Sequence, residues 1–379
     1  MRTQVAEMLG VEFPIVAFSH CRDVVAAVSR AGGFGVLGAV AHTPELLETE
    51  LTWIEENTGG KPYGVDLLLP PKYVGAEGGG LDPEQVRALL PVGHQEFLDD
   101  LLVRYGITPP AAGEPRSVHS LNVSPMGYEP LLDVAFAHRI RLVASALGPP
   151  PADLVERAHA ADVLVAALAG TTRHARRHAE AGADLIVAQG TEAGGHTGEV
   201  STMVLVPEVV DAVAPIPVLA AGGIGRGRQV AAALALGAEG VWCGSVWLTT
   251  EEAETNPVVR DKFLTATSSD TVRSRTLTGK PARMLRTAWT EEWDRPDTPD
   301  PLGMPLQTAL VAETQRRIAR AAEHPGSQAR ELSTYFVGQI VGSMDRVRPA
   351  ASVVLDLVEE FIETMQRLDA LTGAEEVSA

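Results

Sequence analysis

Apolar residues in this chain fall into short unbroken runs, at 14–18, 34–39, 63–69, 140–147, 162–168, 185–189, 217–221 and 240–245. A continuous run of this length, unlike an alternating one, reads as a strand covered on both faces, as in a parallel sheet. Between the runs lie Ala-rich stretches that read as helices, at 23–31, 43–57, 152–160, 172–181, 206–213 and 227–236. Asp23 and the Thr43-Pro44 pair mark helix starts. Gly32, Gly182 and Gly237 mark helix ends, where glycine adopts the left-handed conformation. Eight strands alternating with helices predict a (β/α)8 TIM barrel, with a doubly wound sheet as the alternative.

Two regions interrupt the repeat. Residues 70–120 are rich in Pro and Gly around a helical piece at 83–104, and read as an insertion after the third strand. That is the end of a barrel where active sites gather, so a lid is the expectation. Beyond residue 250 the alternation stops, and 306–324, 326–342 and 346–371 read as helices. The expected organisation is a barrel over 1–250 and a C-terminal helical region over 251–379 packed on it.

Composition narrows the class. With 45 % hydrophobic and 21 % charged residues, a chain of 379 is long enough to bury a large core and is not generally disordered. A net charge of −18 argues against a nucleic-acid surface and an anionic membrane surface, both of which need clustered cations. No apolar run approaches the ~18 residues of a membrane span. Glu7, Glu12 and Pro14 break up the N-terminal stretch, so no signal peptide is read there. Cys21 and Cys243 are too few for a disulfide framework. The expectation is a cytoplasmic protein, with oligomerisation left open.

Three loops after strands are glycine-rich. Gly222-Gly223-Ile224-Gly225-Arg226-Gly227 follows the seventh strand and opens a helix. Bare amides at a helix N-terminus suit a phosphate, although a tight turn could equally demand the glycines. Cys243-Gly244-Ser245 follows the eighth strand, and the loops after strands seven and eight of barrels often share a phosphate. Flavin mononucleotide (FMN) fits a one-phosphate site, as would a phosphorylated metabolite in an enzyme without flavin. The loop 189–198 (QGTEAGGHTG) sets His196 among glycines, where an imidazole could act as base or acid, or could be a loop residue without a role.

Two patterns are set aside. Gly33-Phe34-Gly35-Val36-Leu37-Gly38 spells a dinucleotide fingerprint but follows a helix and runs through a strand, the reverse of what that chemistry needs. His174 and His178 have zinc-pair spacing, but the segment HARRH lacks the accompanying glutamate and carries repelling arginines. No metal site is expected.

The segments AQGTEAGGHTG, LAAGGIGRGRQVAAALALGAEGVWCGS and RTLTGKPAR, in that order and spacing, resemble the nitronate monooxygenase (2-nitropropane dioxygenase) family over about residues 10–285. The opening FPIVAF…DVVAAVSRAGGFGVLGA and the strand YGVDLLLP resemble its N-terminal half. The resemblance implies a barrel with non-covalent FMN and oxidation of alkyl nitronates or nitroalkanes by O2 to carbonyl compounds and nitrite. It assigns the phosphate to Gly222, Gly223, Gly244 and Ser245. It assigns the flavin surroundings to Gln189, Gly190, Gly194, Gly195 and the first-strand residues Ala17, Phe18 and Ser19. Asp66 stands where the family often has Asn, and His196 matches its catalytic histidine, here read as the base. Thr197, Ser124 and His20 are secondary candidates for orienting substrate. The first-strand loop AFSHC departs from the family's Ala-Pro-Met, and its fifth-strand lysine is absent from VAALAG. NAD(P)H-dependent enoyl and quinone reductases on the same flavin barrel share the AGGH and AAGGI segments and form the alternative.

Overall fold

A computed structural model describes residues 1–111, 116 and 122–372. Its strands are β1 Ile15–Ser19, β2 Phe34–Gly38, β3 Tyr63–Leu68, β4 Leu142–Ala146, β5 Leu164–Ala169, β6 Leu185–Gln189, β7 Gly195–His196, β8 Val218–Ala221, β9 Gly240–Cys243, β10 Thr271–Ser274 and β11 Ala282–Leu285. β1 to β6, β8 and β9 close into a barrel, parallel at every pairing, with β9 back on β1. The fold is therefore the (β/α)8 barrel read from the apolar runs, rather than the doubly wound sheet.

The unbroken apolar character of the strands is explained by their two faces. Val16, Val36, Leu142, Ala166, Val187 and Leu219 point into the barrel and pack together. Their neighbours Ala17, Val65, Val143, Ile186, Ala220 and Cys243 point out onto the helices. Strand side chains alternate in direction, so a strand apolar on both faces shows no alternation in sequence. The short helix Gln4–Leu9, which periodicity did not reveal, closes the bottom of the barrel with Val5 and Leu9.

The insertion is only partly described, since residues 112–115 and 117–121 lie outside the described set. Its helical piece divides at Pro91 into Pro83–Ala88 and Val92–Arg104, because proline's fixed φ and missing N–H favour a helix start. Leu98, Leu101 and Leu102 share a core with Trp289, Trp293 and Leu310 of the C-terminal part. A helix from Pro125 to Ala137 then crosses over to β4.

The C-terminal part is less helical than expected. β10 and β11 form an antiparallel pair, and β11 also pairs with β7, aligning Ala282 with His196. The helix expected over 326–342 is only Ala329–Leu332 and a 3-10 turn at Gln339–Ser343. Between them Phe336 bridges Met284, and the Tyr335 carbonyl accepts a 3.1 Å bond from Leu285 N. A β-branched and aromatic run such as Thr334–Val337 favours extended backbone, and that local preference prevails. The last helix, Ala350–Thr372, returns to the barrel and buries Val353, Val354 and Leu357 there. No described helix is long and apolar enough to cross a membrane.

Candidate active site

The loops after the strands surround a cavity of about 1480 Å³. That exceeds the ~300–1,000 Å³ of a typical single-ligand pocket, leaving room for a cofactor and a substrate together. Phe18, Ser19, Asp66, Gln189, Gly194, Gly195, His196, Gly222, Gly223, Gly244 and Ser245 all line it. Ala17 and Gly190 do not. The Ala17 side chain faces the helical layer, fully buried. Gly190 serves a neighbouring contact: a Cβ there would lie 2.1 Å from Thr202 Oγ1 and 2.4 Å from Thr202 N. Ser124, another outlying candidate, sits beside Gly80 and is not on the lining, whereas His20 and Thr197 are.

One wall is built from backbone. Gly222 and Gly223 have φ of +105° and +71°, in the region glycine enters without strain. A Cβ on Gly222 would come within 2.8 Å of Thr202 Oγ1, and one on Gly223 within 3.2 Å of Glu192 Cβ. The Glu192 carboxylate accepts bonds from Thr202 N and Oγ1, and so caps the helix Thr202–Val213. That helix begins before the expected residue 206 because its first turn serves this cap. The phosphate reading needs one correction. The first amides of helix Gly227–Ala235 are already engaged: Gly225 N and Arg226 N donate to Gln229 Oε1, and Gly227 N donates to Glu360 Oε2 at 2.7 Å. Arg228 also pairs with Glu360. Glu360 thus engages the helix start from the helix Ala350–Thr372, so the amides left to an anion include those upstream of Gly225 and those at Gly244 and Ser245. Ser245 Oγ accepts a 2.7 Å bond from Gly338 N, which leaves its own proton to donate.

The facing wall carries titratable side chains. Asp66 is buried, and no described residue gives it a hydrogen bond; burial holds its carboxyl well above the usual carboxylate range. Burial thus favours its protonated form, which can donate as well as accept. Phe18 stacks on Trp242 with centroids 6.4 Å apart and meets the His20 ring edge-on at 5.1 Å. His20 Nδ1 lies 2.9 Å from the Gly38 carbonyl, which also fixes the ring. His42 joins the same wall, with its Nδ1 buried and unpartnered.

His196 sits between the walls. Its Nε2 is 2.8 Å from Thr278 Oγ1, and burial, reinforced by Lys280, lowers its pKa to about 4. Thr278 Oγ1 also lies 3.2 Å from the Lys280 carbonyl and accepts from Lys280 N at 3.4 Å. In the tautomer whose Nε2–H donates to Thr278, the hydroxyl proton goes to the Lys280 carbonyl and the Nδ1 lone pair is free. Arg283 fastens the same loop: Nε donates to Thr191 O at 2.8 Å and Nη1 to Thr271 Oγ1 at 3.0 Å.

Thr278, Lys280, Arg283 and Phe336 were not identified as site residues from the sequence. The signals are present, in the two-residue alternation of VRSR and ARML around a glycine and in the β-prone run at 334–337, within a region whose overall pattern reads as helical. Of the two set-aside patterns, the glycines are strand residues as read, but the histidine pair is not the solvated helix face its sequence suggests. Gly35 and Gly38 lie inside β2. His178 is buried, with Nε2 3.0 Å from the Leu168 carbonyl. Among the described residues, only Cys21, Asp23 and Glu254 approach closely enough to share an ion, and the Cys21 thiol donates to the Glu252 carbonyl at 3.0 Å.

Known proteins give the arrangement a context. The family model described as "Nitronate monooxygenase" matches residues 2–360. The chain is 78 % identical over 373 residues to "Putative monooxygenase Rv1533" of Mycobacterium tuberculosis, covering 98 % of this chain and 99 % of that protein. It is 29 % identical to a "Probable nitronate monooxygenase" of Staphylococcus aureus, covering 96 % and 99 % respectively. Among solved structures it resembles the nitroalkane oxidase of Streptomyces ansochromogenes, at 28 % identity, TM-score 0.79 and coverage of 96 % and 99 %. It also resembles FabK of Thermotoga maritima, at 28 % identity, TM-score 0.72 and coverage of 98 % and 99 %.

Proposed function

The chain belongs to the nitronate monooxygenase family, and from that premise we propose that it oxidises alkyl nitronates and nitroalkanes with O2 to carbonyl compounds and nitrite, using bound FMN. The observation that carries this reading is the pairing, in one cavity, of a side-chain-free glycine wall with a buried neutral imidazole. The residues fit the cofactor. Gly222, Gly223 and Gly244 leave space that any Cβ would narrow, next to amides and the Ser245 hydroxyl that can donate to a phosphate. Asp66, buried and without a hydrogen bond from any described residue, can in its protonated form make a donor–acceptor pair with a flavin ring edge as an Asn would. The flavin supplies electron acceptance from the substrate and the reaction with O2.

The chain's own residues then bind, orient and handle the proton. His196 is neutral above about pH 4, so its lone pair is open to the α-carbon proton of a nitroalkane. Thr278 holds the ring through Nε2, and with Nε2–H donating to it, Nδ1 keeps the lone pair a base needs. The same burial makes the imidazolium a stronger acid than usual, so His196 releases the proton readily and does not serve as a lasting cation beside the anionic substrate.

An anaerobic spectral titration tests the function. Purified protein should be yellow, and propane-2-nitronate or 2-nitropropane should bleach it without nicotinamide. With oxygen admitted, nitrite and acetone should appear together. Bleaching only by NADH or NADPH would replace this reading with the reductase, and a colourless protein that refuses FMN would remove both.

A further inference from the structure

We infer that Lys280 is the binding site for the substrate's oxyanion, a role resting on the nitronate reading above. Few cations reach the cavity lining. Arg273 is engaged by Glu199 at 3.5 Å and by the Thr197 carbonyl at 3.3 Å. Arg316 is engaged by Glu313. Arg177 is exposed on the helix Thr172–Glu180. Lys280 differs from all three: it lines the cavity half-buried, and its ammonium has no ion pair or hydrogen bond with any described residue.

Its location is fixed by chemistry already described. The Lys280 carbonyl and the His196 ring both bond Thr278 Oγ1, and the Lys280 charge acts on His196. An ammonium taken partly out of water without a counter-charge is costly, and the cost is relieved when an anion arrives. Burial pushes the Lys280 pKa down, the direction expected of such a group. A nitronate is a planar oxyanion that brings the missing charge, and an ammonium is a compact donor able to meet it. His196, neutral over the working range, cannot do this. The cavity therefore divides the work: His196 takes the proton of a neutral substrate, and Lys280 holds the anion.

The test uses purified yellow holoprotein and a probe that cannot react. Isobutyrate has the shape and charge of propane-2-nitronate, and isobutyramide has the shape without the charge. Calorimetry should show isobutyrate binding to the wild type well above isobutyramide. K280M should weaken isobutyrate about 10- to 100-fold, the loss expected for a hydrogen bond to a charged group, and K280R should retain most of the affinity. On propane-2-nitronate, K280M should raise KM by a similar factor with kcat nearly unchanged, as removal of uniform binding does. If K280M folds poorly, K280Q carries the same expectation. Equal binding of carboxylate and amide by the wild type, no carboxylate binding, or unchanged affinity in K280M would each overturn the role. Isobutyrate binding that depends on Lys280 in a protein no nitronate can reduce would sink the nitronate reading and leave the anion site standing.

Discussion

The two walls of the cavity are built on opposite principles. The wall at Gly222, Gly223 and Gly244 offers backbone, and its side-chain groups are already satisfied: Glu192 by Thr202, Gln229 by Gly225 and Arg226, Glu360 by Gly227 and Arg228. The wall at Asp66, His20 and His42, with Lys280 beside His196, offers side chains that the protein leaves partly or wholly unpartnered. A satisfied wall is rigid and suits the constant part of a cofactor. An unsatisfied wall waits for a ligand, and substitutions there should alter chemistry before they alter the fold.

The sharpest way to break the comparison lies under the first wall. Gly190→Val would set a Cβ against the backbone of Thr202, which cannot yield without moving the helix that Glu192 caps. We expect a loss of about 3 kcal/mol in unfolding free energy, with flavin lost as well. Urea denaturation followed by tryptophan fluorescence measures the first and absorbance of the eluted protein the second. Wild-type stability in this variant would mean that the wall is softer than its contacts indicate.

The centre of the cavity should respond differently. His196→Asn should keep the flavin and the fold, but reduce kcat on neutral 2-nitropropane about 100-fold, the lower range for loss of a general base. The preformed nitronate should lose far less, because it needs no deprotonation. In the wild type, activity on the neutral substrate should fall as pH drops through about 4, where His196 takes up a proton. Stability follows a related course. His178 and His196 titrate near 4 when folded and near their ordinary 6.5 when unfolded, so the unfolded state binds more protons between those values. The unfolding midpoint should therefore fall as pH falls from about 6.5 to about 4, and His178→Leu should flatten part of that slope.

A smaller effect separates charge from shape on the first wall. Gly223→Asp should weaken flavin retention about tenfold by setting a carboxylate beside the phosphate, whereas Gly223→Asn, equally tolerant of the positive φ, should weaken it less. The measurement is flavin content after gel filtration. Equal retention in the two variants would place the phosphate elsewhere.

These contrasts also explain what was legible beforehand. The barrel could be read because each strand is apolar on both faces, a signal that needs no tertiary information. The glycine wall could be read because close approach and positive φ restrict the residue type, and glycine shows in a sequence. The ligation of the helix start at Gly227 could not, because Glu360 comes from 133 residues away and resembles any other helical glutamate. The roles of Thr278 and Lys280 were hidden for the same reason. The pairing of β7 with β11 brings them to His196, and β7 is two residues long. Local preference at 334–337 points to extended backbone, which the structure adopts, while the reading of 326–342 as one helix passes over it.

Asp66 supplies the mildest test of the second wall. A carboxyl whose folded pKa is raised stays protonated in the native state while the unfolded chain ionises above about 3.8. Folding must then keep a proton that the unfolded chain releases, so Asp66 lowers stability progressively as pH rises above that value. Asp66→Asn preserves shape and a donor–acceptor pair while removing the titration. It should therefore retain the flavin and its visible spectrum and gain stability at pH 7 relative to pH 5, an increment that paired urea titrations would resolve. A loss of flavin in this variant would show that the acid's ionised form is what the cofactor meets. The second wall would then be charged where its burial argues for neutrality, and the contrast between the walls would fail at Asp66.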